Sequence, residues 1–515
     1  MEMEMMAPAR ARSGAITSMT NGKGTICQGD DNSQDGKRLR YSGPDIPDDI
    51  WYHIHSLMPL RDAAHAACVS QAFLRSWRCY PNLILTRKSM GLWGGNFTII
   101  VDHILKNHSG IGVKKLQIFQ YGDYNLNTCY LDNWLHIAIT PGIENITLLL
   151  PSNYSFPCSL LSGRNGISIR YLDLSNGTFH PTVGLGCMRS LTKLILSNVR
   201  IKDDELVCLL SKSFALKQLE LRYCHMIICL KIPCLPEQLS LLIVSRCQNL
   251  KMIESKPPNL SAFNFSGDIV QLSFGQSSQV KDLDMDDGFR VPNFLCYAIT
   301  KIPYIFPNLR SLTLSSFNER LNTPMVAAKF LHVKHLRIYL DPYGAIPPGY
   351  DYFSLVSFLD ACPVLETFFL AVTQHCIKHG SIFGNASHMT QVPEHKHGSL
   401  KNVMILGFCS AKSMIELACH ILENATSLES IALDTIFDMN DETNIGRCST
   451  TSAGEIGKCT VLPRALILEA HSGLQAIESY VRGKVPGKVE LTVRGPCSQC
   501  HDLEHVDESY AYLLE

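Results

Sequence analysis

The sequence is poor in charge. Asp, Glu, Lys and Arg make up 18% of its 515 residues and leave a formal net charge of −1, where an average globular chain carries roughly a quarter charged residues. That balance supplies no field to draw the protein to nucleic acid or an anionic membrane. Long apolar runs are missing too. No stretch reaches the roughly 18 consecutive apolar residues that span a bilayer, and residues 1–25 lack the apolar core of a signal peptide. The expected location is therefore intracellular, nucleus or cytoplasm. In that reducing setting the 20 cysteines are expected as thiols. Cys68, Cys208, Cys229 and Cys419 stand inside apolar patterns, where a thiol serves as a small buried hydrophobe. Catalytic signatures are equally scarce. No Gly-rich phosphate loop follows a strand, and neither Gly-x-Ser-x-Gly nor His-Glu-x-x-His occurs. The chain is expected to be no enzyme and to hold no cofactor.

What is present begins at residue 46. In IPDDIWYHIHSLMPLRDAAHAACVSQAFLRSW (46–77), Ile46, Ile50, Ile54, Leu57 and Leu60 recur at helical steps. Pro47 followed by Asp48 and Asp49 starts a helix, with carboxylates against the positive end of the dipole. Pro59 interrupts it, and Arg61-Asp62 open a second helix whose alanines permit close packing. Val69, Phe73 and Trp77 follow at four-residue steps on one face. A unit of roughly 40 residues buries little of its own apolar surface and so needs a partner.

This stretch resembles an F-box. The family's ordered places hold Ile46-Pro47, Asp48-Asp49, Ile50, Ile54, Leu57, Pro59, Asp62-Ala63-Ala64, Val69-Ser70 and Trp77. Departures are Ile46 for Leu, Met58 between Leu57 and Pro59, Gln71 at a commonly basic place, and Phe73-Leu74 where plant members often carry Trp-Arg. The resemblance implies binding of a Skp-type adaptor, and through it cullin and RING subunits. Ile46, Pro47, Ile50, Ile54, Leu57, Pro59, Leu60, Val69 and Trp77 would carry that interface.

After residue 110 one pattern returns: apolar, two residues, apolar, one residue, apolar. Its copies start at Val113, Ile143, Ile169, Leu191, Leu216, Leu239, Leu260, Val280, Leu309, Val333, Leu365, Leu400 and Leu428. Their 20–35-residue spacings fit leucine-rich repeats with insertions. Each copy supplies a short strand with its apolar residues inward, and the stacked strands form one parallel sheet. Helical stretches at 203–214, 353–366 and 410–429 lie between strands, the last with Ser413 and Glu416 as a capping box. The fold expected is an α/β solenoid, a short helical F-box followed by a leucine-rich-repeat array with its sheet on the concave face and helices on the convex side. The domains would be a disordered segment 1–42, an F-box 43–85, a connector 86–110, the repeats 111–495 and a tail 496–515.

An F-box followed by an irregular leucine-rich array resembles the plant F-box/LRR proteins, and the C-terminal half resembles their large cereal group with an FBD-like region. That implies a non-catalytic substrate receptor of a Skp–cullin–F-box ubiquitin ligase with an unidentified protein substrate. The other class in play is a non-ligase intracellular leucine-rich-repeat scaffold or sensor. Residues between the apolar positions of each strand face the concave surface. They include Asp173, Lys193, Gln218, His335 and Tyr339, together with the charged substrate candidates Glu220, Arg222, Asp282, Asp284, Asp286 and Arg337. Two motifs invite a metal. Cys497, Cys500 and His501 form Cys-x-x-Cys-His, but the second ligand pair of a zinc site is not evident, with only Cys448, Cys459 or His505 as further donors. His375, His379, His388, His395 and His397 crowd segment 374–398, which reads as a surface loop without fixed geometry. No metal is expected.

Overall fold

The computed structural model describes residues 47–69, 71–91, 97–119, 128–181, 185–275, 279–288, 291–325, 328–340, 350–373, 380–383, 396–437, 462 and 464–497. The chain divides into two units, Met1–Pro47 and Asp48–Glu515. Of the first only Pro47 lies among the described residues, so the expectations for Ile46 and for segment 1–42 fall outside them.

Three helices open the second unit: α1 (Asp48–Leu57), α2 (Leu60–Val69) and α3 (Gln71–Trp77). Pro59 falls in the break and accepts the first helical bond, from Ala63 N at 2.9 Å. Its missing N–H costs nothing at a helix start. The strands in chain order are β1 (Asn82–Thr86), β2 (Lys115–Phe119), β3 (Asn145–Leu149), β4 (Ser155–Phe156), β5 (Tyr171–Ser175), β6 (Thr178–Phe179) and β7 (Lys193–Ser197). Next come β8 (Gln218–Arg222), β9 (Cys229–Ile232), β10 (Leu241–Ser245), β11 (Met252–Ser255), β12 (Ala262–Ser266), β13 (Gln271–Phe274) and β14 (Asp282–Asp286). The array ends with β15 (Ser311–Ser316), β16 (His335–Leu340), β17 (Thr367–Val372), β18 (Asn402–Leu406), β19 (Ser430–Asp434) and β20 (Glu490–Arg494).

Fifteen of these strands form one parallel sheet, in the order β1-β2-β3-β5-β7-β8-β10-β12-β14-β15-β16-β17-β18-β19-β20. Each copy of the sequence pattern places its strand two residues after its first apolar residue, and all three apolar residues of every copy are buried. Register stacks them repeat on repeat: Leu219 faces Leu242, which faces Phe263, which faces Leu283. This is the continuous core of an α/β solenoid.

The sheet is longer than the pattern by one strand at each end. In β1 the first apolar place is taken by Tyr80, buried with its hydroxyl donating to the Met58 carbonyl at 2.7 Å. In β20 it is taken by Lys488, whose ammonium donates to the Thr426 carbonyl at 2.6 Å. The supposed connector contains α4 (Phe97–Asn107), which buries Phe97, Val101 and Leu105 against the array.

The opposite layer departs from the expected run of helices. Helices α5 (Thr128–Ala138), α6 (Arg164–Ser168), α7 (Asp203–Ser211), α8 (Phe294–Ile305), α9 (Val356–Ala361), α10 (Lys412–Asn424) and α11 (Arg464–Ala476) return the longer repeats. Repeats starting at Leu216, Leu239 and Leu260 span only 20–23 residues and return instead through β9, β11 and β13, a second parallel sheet. Too little chain remains there for a helix. Asp203 at the start of α7 closes the β9 edge by accepting from Ile228 N and Cys229 N, both at 2.9 Å. Phe274 closes the other edge against Phe306, ring centres 4.7 Å apart. The capping box is a further correction. Ser413 lies inside α10, where its oxygen accepts from Tyr352 N at 3.1 Å, and Ala411 holds the cap position without a side-chain bond.

Candidate functional site

Two surfaces stand out, on α1–α2 and on the open face of the large sheet. Helix α1 carries two adjacent stripes. Trp51 and His55, with Met58 just past the helix end, point inward, where Trp51 meets Phe73 edge-on at 5.0 Å and Met58 packs against the core. His55 is fully buried. Its Nε2 lies 2.8 Å from the Ala63 carbonyl, which only accepts, so Nε2 carries the proton and Nδ1 accepts from the Ser76 hydroxyl at 2.9 Å. Burial pushes the imidazole pKa down, and the Ala63 bond offsets this in part.

The other stripe faces solvent: Ile50 is 44% exposed, Ile54 38%, Leu57 72%, and Val69 at the end of α2 85%. Aliphatic side chains outside and an imidazole inside invert the usual order, and grouped exposed apolar residues mark an interaction surface. Pro47 and Pro59 are exposed as well. One expected interface residue is corrected. Leu60 is 5% exposed and belongs to the core. Trp77 packs half-buried against Tyr80, ring centres 5.6 Å apart. Phe73 also turns inward, 5.1 Å from the His55 ring. Sequence spacing could not separate two neighbouring stripes of one short helix, which is why His55 was missed.

On the sheet, alternate strand residues leave the core and form rows in register. The middle row reads Asp173, Ile195, Glu220, Ile243, Asn264, Asp284, Thr313, Arg337, Phe369 and Met404 from β5 to β18. Its first charges are engaged. The Tyr171 hydroxyl donates to Asp173 at 3.2 Å, with the Lys193 ammonium 5.8 Å from the Tyr171 ring centre. Burial raises the Asp173 pKa, the Tyr171 bond opposes this, and Glu220 adds repulsion. Glu220 is buried rather than solvent-facing, because Ile195 and Ile243 flank it in the row. It pairs with Arg222 and accepts from Gln218 at 3.3 Å. Glu220 and Arg222 thus satisfy each other.

The three aspartates of β14 differ in kind. Asp286 accepts from the Ser266 hydroxyl and from Gly288 N, both at 2.8 Å, and shapes the turn that follows. Asp282 and Asp284 are exposed, and among the described residues neither side chain makes a hydrogen bond or ion pair. The crowding of surrounding protein raises the Asp284 pKa, Asp286 adds to this, and Arg337 opposes it. Two strands on, the Arg337 guanidinium carbon stands 5.9 Å from the centre of the Phe369 ring. His335 Nδ1 lies 2.8 Å from the Thr367 hydroxyl. Beyond them Tyr339, Phe369, Ala371, Leu406 and Phe437 form a small apolar cluster on this face.

At the C-terminal ends of the strands, Asn176, Asn198, Tyr223, Arg246 and Gly267 each follow a strand directly with positive φ. Each donates its N–H to a carbonyl of the next repeat, as Tyr223 does to Ser245 at 2.9 Å. An open cleft of about 420 Å³ lies beside Tyr223, Arg246, Gln248, Asp268 and Gly288.

The histidine segment is described only at its end. The His397 side chain is 7% exposed, which departs from the expected surface loop, and its Nε2 lies 3.1 Å from His420 Nε2 and 4.0 Å from Asp360. His375, His379, His388 and His395 fall outside the described residues, as do Cys500, His501, Cys448, Cys459 and His505. Among the described residues no group of three His, Cys, Asp or Glu could hold a metal ion, and no helix is long and apolar enough to cross a membrane. Of the cysteines in apolar patterns, Cys419 is buried while Cys68 is exposed, at the outer side of α2.

Residues 104–498 match the family model described as the At1g61320/AtMIF1 LRR domain. The chain belongs to this family. Among curated proteins, this LRR-domain protein is similar to two F-box/LRR-repeat proteins of Arabidopsis thaliana. At5g02910 is 26% identical over 194 residues, 36% of this chain and 40% of the relative. At3g26922 is 22% identical over 167 residues, 32% of this chain and 53% of the relative. The chain thus spans about half or less of the length of each. Two solved structures are similar at 13% identity. They are an internalin of Listeria monocytogenes (TM-score 0.28, 66% of this chain, 84% of that chain) and an LRR protein of Leptospira interrogans (TM-score 0.27, 65% and 92%).

Proposed function

We propose that this protein is a substrate-recognition subunit of a Skp–cullin–F-box ubiquitin ligase, of the cereal type with an FBD-like C-terminal region. The outward stripe Ile50, Ile54 and Leu57, with Val69, docks a Skp-type adaptor that brings cullin and RING subunits. The open sheet face holds the target. The observation that carries this reading is the inverted helix α1, aliphatic outside and imidazole inside. It makes sense when a second chain covers the stripe. The relatives' F-box/LRR names support it. The receptor contributes proximity: a lysine held near a loaded conjugating enzyme gains effective concentration, and other subunits perform the transfer. Such a ligase works inside the cell, so nucleus or cytoplasm is the proposed location.

The test is capture of a purified Skp-type adaptor by the full chain and by an Ile54→Asp/Leu57→Asp variant. The parent captures adaptor and cullin, and the variant does not. Equal capture by both, or none by a folded parent, leaves a leucine-rich-repeat scaffold without ligase function.

A further inference from the structure

Charged side chains on the open face are mostly engaged. Asp173 binds Tyr171, Glu220 binds Arg222, and Asp286 binds Ser266 and the Gly288 backbone. Asp282, Asp284 and Arg337 are exceptions, and the last two share the middle row. None of the three makes a hydrogen bond or ion pair among the described residues, though all are exposed. Asp284 and Arg337 stand on β14 and β16 with Thr313 of β15 between them. Two strand spacings separate their backbones by about 9–10 Å, and no ion pair joins them, although the Arg337 charge is felt at Asp284. Stacking on Phe369, rather than an acid, holds Arg337 in place, which leaves guanidinium donors available to an incoming carboxylate. Two strands further along the row, on β18, Met404 is 41% exposed. The row therefore presents acid, cation and apolar side chain at every second strand.

That interval selects a backbone form. A polyproline II segment rises about 3.1 Å per residue with three residues per turn, so residues i, i+3 and i+6 share one face about 9 Å apart. An α-helix returns to one face at about 5.4 Å and about 10.8 Å, below and above the interval, and the mismatch doubles over the two steps from β14 to β18. A fully extended strand turns residue i+3 to the opposite side. A chain lying across these strands already occurs one row lower. Phe437, from the segment after β19, is buried in the apolar cluster with Ala371 and Leu406 and stands 6.4 Å from the Tyr339 ring, three strands away.

We infer that the middle row binds a polyproline II segment of a protein partner that crosses the strands. A basic residue sits opposite Asp284, an acidic residue three positions along meets Arg337, and an apolar residue three further lies against Phe369 and Met404. This rests on the reading of the open face as the target surface and gives that target a chemical class. The recognition is by charge order and spacing, so it weakens with salt and changes with register.

Fluorescence anisotropy of the full chain with labelled Lys-Pro-Pro-Glu-Pro-Pro-Leu, and with the same residues in reverse order, tests it. One of the two orders binds saturably, loses affinity in about 0.5 M salt, and loses roughly tenfold or more against Arg337→Glu. Replacing the peptide's Glu with Lys restores binding to that variant, which also shows that the variant is folded. Asp284→Lys paired with a peptide whose Lys is replaced by Glu repeats the rescue at the other end. The inference is overturned if neither order binds or if one-residue spacers bind as well as two. It is equally overturned if Arg337→Glu changes nothing, or if binding appears only after deletion of residues 438–461, which assigns the row to the chain itself. Adaptor capture is scored separately. Peptide binding without adaptor capture removes the ligase reading and keeps this one, and capture without peptide binding does the reverse.

Discussion

His55 Nδ1 lies 2.9 Å from the Ser76 hydroxyl, tying α1 to α3, while Nε2 holds α2 through Ala63. Nearby, His108 accepts from Gly110 N at 2.9 Å and donates from Nε2 to the Tyr80 carbonyl at 3.0 Å. Both imidazoles are held neutral, and burial lowers the pKa of each. The unfolded chain therefore takes up these protons more readily than the folded one. The stability they contribute is whole above a pH of about 6.5 and declines as the pH falls below it. Thermal melts should show a lower midpoint at pH 5.5 than at pH 7, each value read to about half a degree. His55→Ala should cost about 2–4 kcal/mol at neutral pH, since it leaves a cavity, the Ser76 hydroxyl and the Ala63 carbonyl behind. That variant should also lose less on acidification than the parent. Identical pH slopes would remove His55 from this role.

Leu57 and Leu60 are three residues apart in sequence and opposite in consequence. Leu57→Ala, at the surface, should change stability by no more than about 0.5 kcal/mol yet weaken adaptor capture. Leu60→Ala, in the core, should cost about 2–5 kcal/mol. Denaturant midpoints paired with pull-downs separate the two. A stable Leu60→Ala that fails to capture adaptor would show that Leu60, not Leu57, meets the partner.

The array was legible because Leu-x-x-Leu-x-Leu states both the strand and its inward face in six residues. Tyr80 and Lys488 hide the two end strands by replacing the first aliphatic residue, one with an aromatic ring tied to Met58 and one with an ammonium tied to Thr426. The small sheet β9-β11-β13 was hidden for another reason. Its four-residue strands carry too few alternations to read, and only the short repeat length hinted that no helix fits. Glu220 looked solvent-facing because its cover, Ile195 and Ile243, lies some 25 residues away in either direction along the sequence. Burial across a row is a property of the stack and not of any one repeat.

The residue directly after β5, β7, β8, β10, β12 and β18 has positive φ and is a costly point of this backbone. Gly407 has φ of 70°, and a Cβ there would clash with the Val372 carbonyl oxygen. Gly407→Ala should destabilise by about 3 kcal/mol or more, because strain adds to the clash. At the equivalent turns Asn176 and Asn198 are cheap in the left-handed region, whereas Arg246, with φ of 53°, is not. Arg246→Asn should therefore raise stability by about 0.5–1 kcal/mol. A loss on making Arg246→Asn, read from urea midpoints, would show that its side-chain contacts outweigh the backbone cost.

Asp284 and Asp286 are two residues apart on β14 and face the same side, yet they contribute to stability with opposite sign. Asp286 satisfies the Ser266 hydroxyl and Gly288 N, so Asp286→Ala should cost about 1–2 kcal/mol. Asp284 satisfies nothing in the described structure, and its pKa is raised by the surrounding protein and by Asp286. A carboxylate with a raised pKa binds its proton more tightly folded than unfolded. It therefore lowers stability at neutral pH and stops doing so once the pH falls below its unfolded value near 4. Asp284→Asn should be more stable than the parent at pH 7. The gain should stay within about 0.5 kcal/mol, because solvent screens this exposed group, and should vanish near pH 3.5. A carboxylate that costs the fold stability is what the proposed recognition of a basic residue by Asp284 expects. If Asp284→Asn instead destabilises at pH 7 while Asp286→Ala is neutral, the structural and receptive roles of the two aspartates are exchanged.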